Sequence, residues 1–347
     1  MTRKRINSMM LCLIGVLALS GCGALSSEPA SESNQVIEDS GGTMIADLID
    51  LSDRLQFPEY EEASGLLFSD TGFIETMSKA TDNYYLFNPV ANERYAKSGM
   101  LSEWTTKEKD KLIKLTMEFE NQFENYGIEF ENGINLIKIA SGSRLPMVFI
   151  SEDNIILSQE AVDLHKDVLK EEMVQVYFKL YLGQNRAMLE SLSAQLGFLP
   201  VEGVRLDESL VDHIVIRPGI YQPFKFTASR SDIDPSPEYT WVPISFINPE
   251  TKLVEDYMLA VNITTNGEAS IRTIKTTNPY LSQIGAMNKY MAMPLSKLKD
   301  VHINLGEIPD TYTHPEDILA LNFMYLVLER PVTGTGTIEK LKTKLES

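Results

Sequence analysis

Cysteine is scarce in this chain, which has two cysteines among its 347 residues, Cys12 and Cys22. Cys12 lies inside a short apolar run, residues 9–20, and Cys22 follows almost directly after it. Two cysteines in such positions exclude a disulfide framework and a thiolate zinc site in the rest of the chain. The globular part must therefore be stabilised by an ordinary hydrophobic core, for which the chain is long enough.

Histidine is also scarce, and the four residues, His165, His213, His302 and His314, are scattered. The chain has no G-x-S-x-G nucleophile elbow, no G-x-x-x-x-G-K-[ST] phosphate loop and no dinucleotide fingerprint after a strand. Serine or cysteine nucleophilic catalysis and nucleotide binding therefore have little support. Adjacent acidic pairs are most often solvated surface in a chain with 49 acidic residues.

Basic residues are outnumbered by acidic ones, with 31 Lys and Arg against 49 Asp and Glu and a net charge of −18. A surface of this sign repels the phosphates of nucleic acids and the headgroups of anionic lipids. The composition therefore predicts no nucleic-acid partner and no electrostatic adhesion to a membrane.

The first 21 residues have the pattern of a secretory signal peptide, with a basic start followed by the apolar run at residues 9–20. That run is shorter than the roughly 20 residues that a membrane-spanning helix needs. It ends in Leu19-Ser20-Gly21-Cys22, which resembles the bacterial lipobox. The resemblance implies that Cys22 is lipidated (the palmitate-type anchor of a lipoprotein) and holds the protein at the extracytoplasmic side of a cell membrane or outer membrane. The alternative is an ordinary cleaved signal with an incidental cysteine.

The domain organisation follows from composition. Residues 22–42 are rich in serine and glutamate without an apolar period, which predicts a flexible tether. Residues 43–347 are predicted to form a single α+β domain, with a mainly helical body, a small sheet and an antiparallel β insertion at about 201–285.

Helices are predicted where apolar residues repeat at helical spacing. The most continuous run is VLKEEMVQVYFKLYLGQN, residues 168–185, which is predicted to lie at the centre of the fold. Thr105 and Glu108 have capping-box spacing and predict a helix that ends near Gly127. The other predicted helices are residues 186–196, stopped by Gly197, and a last helix with Pro315 in its first turn, followed by a polar tail.

Strands are predicted in two groups. Residues 134–140, 146–151 and 154–158 are short β-type runs and suggest a small meander that leads into the central helix. Residues 239–247, 253–263 and 269–275 form the antiparallel insertion, and Asn266-Gly267 is its strongest turn signal.

Four strings in this order resemble a family of bacterial zincin-like, HExxH-type metallopeptidases: NLIKIASG, NIILS, NRAMLESLSAQLGF and THPEDILALNF. In that family the central helix carries H-E-x-x-H, and a distant segment similar to the last string supplies the third zinc ligand. The resemblance covers roughly residues 132–198 and 313–323. It implies a zincin-like fold for the body of the domain.

The metal motif is degenerate in this chain. Counting back from Asn185, the positions of the first histidine, the general base and the second histidine hold Gln175, Val176 and Lys179, and only Glu316 still matches. Zinc needs neutral imidazole or anionic ligands, and the hydrolytic water needs a carboxylate. The resemblance therefore implies no metal cofactor and no hydrolysis.

Lys179 and Gln175 lie on one helical face, because they are four residues apart. We predict an ion pair between Lys179 and Glu316 where a metal would join the two helices. The alternative is that Lys179 extends to solvent and Glu316 caps its own helix.

The function predicted from these patterns is a non-catalytic, lipid-anchored lipoprotein that binds a protein or a cell-envelope component. One alternative is an active extracytoplasmic hydrolase with unrecognised catalytic residues. Another is a solute-binding lipoprotein, although no two-lobed α/β repeat is visible. Tyr84, Tyr85, Trp104 and Trp241 are candidates for a glycan- or peptide-binding groove, although aromatic residues more often pack in cores.

Overall fold

The computed structural model describes residues 51–69, 101–130, 132–140, 148–151, 153–205, 214–215, 220, 222–232, 237–247, 254–272, 290–299, 301, 305, 308–309, 312–332 and 336–346. These residues belong to one compact unit, Leu48–Ser347. The predicted signal peptide, Cys22, the tether and the Tyr84-Tyr85 pair lie outside the described residues. In the part of the chain that is described, none of the helices combines the length and apolar character that crossing a bilayer requires.

The described residues form a mixed α+β fold, as predicted. The helices are α1 Tyr60–Ser69, α2 Thr106–Met117, α3 Glu120–Asn125, α4 Gln159–Val162, α5 Lys166–Gln184, α6 Arg186–Gln195, α7 Pro315–Val327 and α8 Gly336–Leu345. The strands are β1 Leu55–Gln56, β2 Ile134–Ile139, β3 Val148–Ser151, β4 Asn154–Ser158, β5 Phe198–Pro200, β6 Val204–Arg205, β7 Ile214–Val215, β8 Phe224–Ser229, β9 Glu238–Ile247, β10 Val254–Ile263, β11 Ala269–Ile271 and β12 Ala292–Met293.

The first sheet has the strand order β1-β2-β4-β3, so the predicted meander is wrong. β2 pairs in parallel with β4, with Leu136 opposite Ile155, while β3 forms an antiparallel edge with β4. All five residues of β4 are buried, since it lies between two other strands. The alternation of residues along a strand shows which face is apolar but does not identify the neighbouring strand.

Helix α5 follows this sheet and lies at the centre of the fold, as its apolar sequence predicts. Its side chains are buried on several sides, and Met173, Val174, Tyr177, Phe178 and Leu182 have no exposed surface. It packs against α7, α6, α2 and the edge strand β3. A helix that is apolar over most of its circumference is stable only in such an interior position.

The capping box at the start of α2 is confirmed, with the Glu108 backbone N–H bonded to Thr105 Oγ1 and the Thr105 N–H bonded to the Glu108 carboxylate. The helix does not continue unbroken to Gly127, however. It ends at Met117, and α3 begins after Phe119, whose φ is −129°. Phe119 and Phe123 are both buried, and their rings lie 5.5 Å apart. The two short helices together bury both rings.

The second sheet contains eight described strands and is longer than the predicted insertion. It begins at β5, directly after α6, and includes β12, beyond the predicted limit of residue 285. Most neighbours are antiparallel, but β6 and β11 are parallel. Gly267 has a φ of +85° in the β10–β11 turn, which explains the Asn-Gly signal.

Both faces of the second sheet are buried in the middle of β9 and β10, at residues 241–246 and 258–261. Trp241, Met258 and Ala260 face the main core, which contains the helices and the first sheet. Val242, Phe246 and five other buried apolar residues of the sheet, together with Tyr290, form a second cluster. Trp241 is fully buried and its indole N–H donates to the Ala228 carbonyl, so its proposed place in a groove is wrong.

The C-terminal region is helical where a polar tail was predicted. Pro315 lies in the first turn of α7, as predicted, and His314 occupies the N-cap position. After it, α8 buries Thr337 and Leu341 and packs on α7. The few apolar residues of α8 are enough to form one buried stripe. Its composition is otherwise polar, which explains why no helix was predicted here.

Candidate functional site

The three degenerate motif positions lie within five residues of one another on α5, and two of them face α7 or the segment just before it. Gln175 and Lys179 are on the side of α5 that meets α7, and Val176 is buried with 4% of its surface exposed. The ring of Phe178 stacks on Phe323 of α7 at a centroid distance of 4.0 Å. The two segments that the zincin-like resemblance pairs are thus in direct contact.

Lys179 is ion-paired with Asp317, one residue beyond the predicted partner Glu316. Its Nζ lies 2.7 Å from Asp317 Oδ1, and the two side chains are 15% and 4% exposed. Successive residues of a helix point about 100° apart, so the adjacent carboxylates of α7 point in different directions. Glu316 is fully buried. The alternative of Lys179 extending to solvent is also wrong.

Gln175 connects α5 to the segment that precedes α7. Its Oε1 accepts a hydrogen bond of 3.3 Å from the Tyr312 hydroxyl, and its Nε2 donates to the backbone oxygen of Glu171. Since Glu171 is on α5 itself, the bond from Tyr312 is the one that links the two elements, and it is a neutral hydrogen bond. It therefore serves as a positioning contact between α5 and the start of α7.

Further charged groups lie along the same side of α5. Burial raises the pKa of the Glu172 carboxyl above its ordinary value; the Lys179 charge opposes this effect and the Glu171 charge adds to it. Glu171 itself forms an ion pair of 2.6 Å with Arg330, which lies just after α7. Both side chains of this pair are partly exposed. We call this contact region between α5 and α7 the α5–α7 junction. It contains both acidic and basic side chains, and Lys179–Asp317 is its most buried ion pair.

No sequence pattern indicated a second polar cluster, in which the His314 ring contacts Ser245 of the second sheet. The Ser245 hydroxyl donates to Asp256 Oδ1 at 2.6 Å and lies 3.2 Å from His314 Nε2. Since the single hydroxyl proton goes to Asp256, His314 Nε2 is the donor to Ser245. A nucleophilic serine needs the opposite arrangement, with histidine accepting its proton. Ser245 is also buried, so this cluster joins the sheet to α7 and is not a hydrolytic triad.

Part of this cluster follows from the hairpin register. Ser245 and Asp256 are directly opposite on β9 and β10, so their side chains share one face. His314, 69 residues from Ser245, joins them only through the tertiary packing of α7.

Potential metal ligands do not converge in the part of the chain that the structure describes. Among those residues, no group of three or more His, Cys, Asp or Glu side chains is arranged to hold a metal ion.

Comparison with known proteins finds no match. No family model, no curated protein and no solved structure is similar to the chain at a significant level. The resemblance to zincin-like metallopeptidases therefore depends on the four sequence strings.

Proposed function

We propose that this protein is a lipid-anchored extracytoplasmic lipoprotein whose zincin-like scaffold is degenerate and non-catalytic, and that it binds a protein or cell-envelope component. The observation that carries the proposal is the Lys179–Asp317 ion pair, 2.7 Å long, between α5 and α7. It lies where the zincin resemblance would place the second zinc histidine.

The chemistry of the three α5 positions supports the loss of hydrolysis. Zinc binds neutral imidazole or anionic groups, and the Lys179 ammonium is a cation that already neutralises the nearest carboxylate. Val176 has no group to accept a proton from water, and it is buried in the core. The arrangement has neither the two helix-borne ligands nor the general base that such an enzyme needs.

The packing of the scaffold supports the fold assignment within this proposal. A sheet leads into α5, α6 follows directly after Asn185, and Gly197, with a φ of +88°, ends that helix before the second sheet. The distant α7 returns to contact α5. This order and this contact support the proposed zincin-like scaffold.

The lipid anchor has a direct test. We expect the Cys22→Ser variant to leave the membrane fraction and appear in the soluble extracytoplasmic fraction, since the modified side chain would be lost. The measurement is fractionation with immunoblotting, together with the intact mass of the purified protein. Cys12→Ser is the matched control and should stay membrane-bound, because that residue lies in the part of the signal that is removed. A Cys22→Ser protein that remains in the membrane would contradict lipid anchoring.

The metal motif can be restored as a test of the scaffold. We expect the purified native chain to contain no stoichiometric zinc. The variant Gln175→His, Val176→Glu, Lys179→His should bind about one zinc ion per chain, because it places two imidazoles opposite the acidic start of α7. Elemental analysis and zinc-dependent thermal stabilisation measure this.

The matched control for this test keeps Lys179 and changes only Gln175→His and Val176→Glu. This variant should not gain zinc, because the ammonium group still occupies the ligand position. Stoichiometric zinc in the native chain would overturn the non-catalytic proposal in favour of an active hydrolase, and failure of the restored motif would count against the zincin-like scaffold.

A further inference from the structure

A pocket of about 540 Å³ lies away from the α5–α7 junction, between the start of α1 and the start of α2. Its volume is within the range of roughly 300–1,000 Å³ that is typical of small-ligand sites. None of the junction residues Gln175, Lys179 and Asp317 lines it. The pocket is therefore a separate candidate site, and of the two predicted groove residues that the structure describes, Trp104 and Trp241, it is Trp104 that lines it.

The pocket presents two aromatic rings in a fixed arrangement. Phe57 and Trp104 meet edge to face, with ring centroids 5.5 Å apart and an interplanar angle of 82°. The Trp104 indole N–H donates to the Leu136 carbonyl at 2.8 Å, which holds the ring in place. Because this polar atom is already bonded, Trp104 offers a ligand its ring surface rather than a hydrogen bond.

A lysine ammonium group lies over each of these two rings. Lys109 Nζ lies 5.5 Å from the Phe57 centroid, and Lys138 Nζ lies 5.4 Å from the Trp104 centroid. Lys138 is buried and forms a 2.8 Å ion pair with Glu108. A cationic ligand placed on these rings would be repelled by the two ammonium groups, since like charges at such distances are unfavourable.

Glu108, the ion-pair partner of the lining residue Lys138, remains ionised. Burial alone would raise the pKa of this carboxyl, but hydrogen bonds from Lys138, from the Thr105 backbone and side chain and from Gln159 outweigh burial and lower the pKa to about 2. The buried lysine therefore keeps a charged partner over the ordinary pH range, and the base of the pocket needs no counter-ion from a ligand.

The rim disfavours an anionic ligand. Glu59, Glu61 and Glu103 are exposed residues that line the pocket, in a chain with a net charge of −18. A purely apolar ligand such as an acyl chain is also disfavoured, because it would remove these carboxylates from water without giving them hydrogen bonds. The remaining class is a neutral ligand with both an apolar face and hydroxyl groups.

We infer that this pocket binds a neutral carbohydrate, with a sugar ring against Phe57 and Trp104. Sugar hydroxyls donate to the rim carboxylates and accept from Lys109 and the Tyr60 hydroxyl, which also line the pocket. This inference rests on the proposed function to the extent that it names the chemical class of the envelope component.

Tryptophan fluorescence gives a direct readout, because the chain has two tryptophans and only Trp104 lines the pocket. The full-length protein in detergent is titrated with three neutral tetrasaccharides: N-acetylglucosamine tetramer, maltotetraose and cellotetraose. We expect at least one of them to shift the emission at millimolar or lower concentration. The shift should persist in the Trp241→Phe variant. The deacetylated, cationic glucosamine tetramer and an anionic uronic-acid tetramer should bind at least tenfold more weakly.

A matched pair of exposed glutamates tests the site itself. Glu61 lines the pocket and the adjacent Glu62 does not. Glu61→Ala should weaken binding of the active tetrasaccharide about tenfold, as expected for a lost hydrogen bond to a charged group, while Glu62→Ala should leave it unchanged. Both substitutions are on the surface, so both proteins should fold.

Three results would overturn the inference: no neutral tetrasaccharide binds, a charged tetramer binds more tightly, or the two glutamate variants behave alike. None of them would affect the membrane fractionation or the zinc measurement. In turn, zinc in the native protein would overturn the non-catalytic proposal and leave the carbohydrate result intact.

Discussion

Replacing Lys179 with methionine should lower the free energy of unfolding by about 3–5 kcal/mol, because it removes the cation paired with the buried Asp317 carboxylate. The pair is 2.7 Å long, and only 4% of the Asp317 side chain is exposed. Methionine keeps the length of the lysine stem, so the change removes the charge and little of the packing. Urea denaturation followed by circular dichroism measures the loss.

The control for this prediction is the exposed ion pair that also joins α5 to the end of α7. Arg330 lies 2.6 Å from Glu171, and the two side chains are 44% and 32% exposed. Arg330→Met should cost less than about 1 kcal/mol, because water solvates the remaining carboxylate. The double variant Lys179→Met, Asp317→Asn should recover more than half of the loss, since it removes both charges of the pair together. Equal losses in Lys179→Met and Arg330→Met would refute the assignment of Lys179–Asp317 as the buried pair.

Replacing Phe323 with alanine should cost about 3–5 kcal/mol of unfolding free energy, because it opens a cavity where three helices meet. The ring is fully buried, stacks on Phe178 of α5 at 4.0 Å and meets Phe123 of α3 edge to face at 5.1 Å. No charge or hydrogen bond is involved, so the loss measures packing alone. Thermal and urea unfolding of the purified variant provide the measurement.

Two substitutions bracket this effect. Phe323→Leu keeps most of the buried volume and should cost clearly less than the alanine change. Met117→Ala should stay within about 0.5 kcal/mol, because that side chain is 53% exposed at the end of α2. If Phe323→Ala lost less than the leucine variant, the three-helix contact would not be a packed core.

The elements that were predicted correctly have local causes. The Thr105–Glu108 capping box uses atoms three residues apart, and the glycines at residues 197 and 267 relieve a backbone strain at single positions. The central helix α5 is visible in the sequence because its burial requires apolar residues on most sides. Such signals depend only on neighbours along the chain.

The partners of the strands did not follow from the sequence. β2 could have paired with β3 or with β4, because the apolar residues of a strand do not identify its neighbour. The second sheet also includes β5 and β12, which lie outside the predicted insertion. α8 has the composition of a polar tail because only a single narrow stripe of it contributes to the core.

The candidate site also combines features that are local in the sequence with features that depend on tertiary packing. The linear chain placed Gln175 and Lys179 on one helical face and His314-Pro315 at the start of a helix, because both features depend on a spacing of a few residues. Only the packed structure selected Asp317 rather than Glu316 as the partner of Lys179, since the rotation of α7 about its axis decides which carboxylate faces α5. The same packing joined His314 to Ser245 across 69 residues and arranged Phe57 and Trp104 around one pocket. Contacts of this kind depend on how whole elements dock.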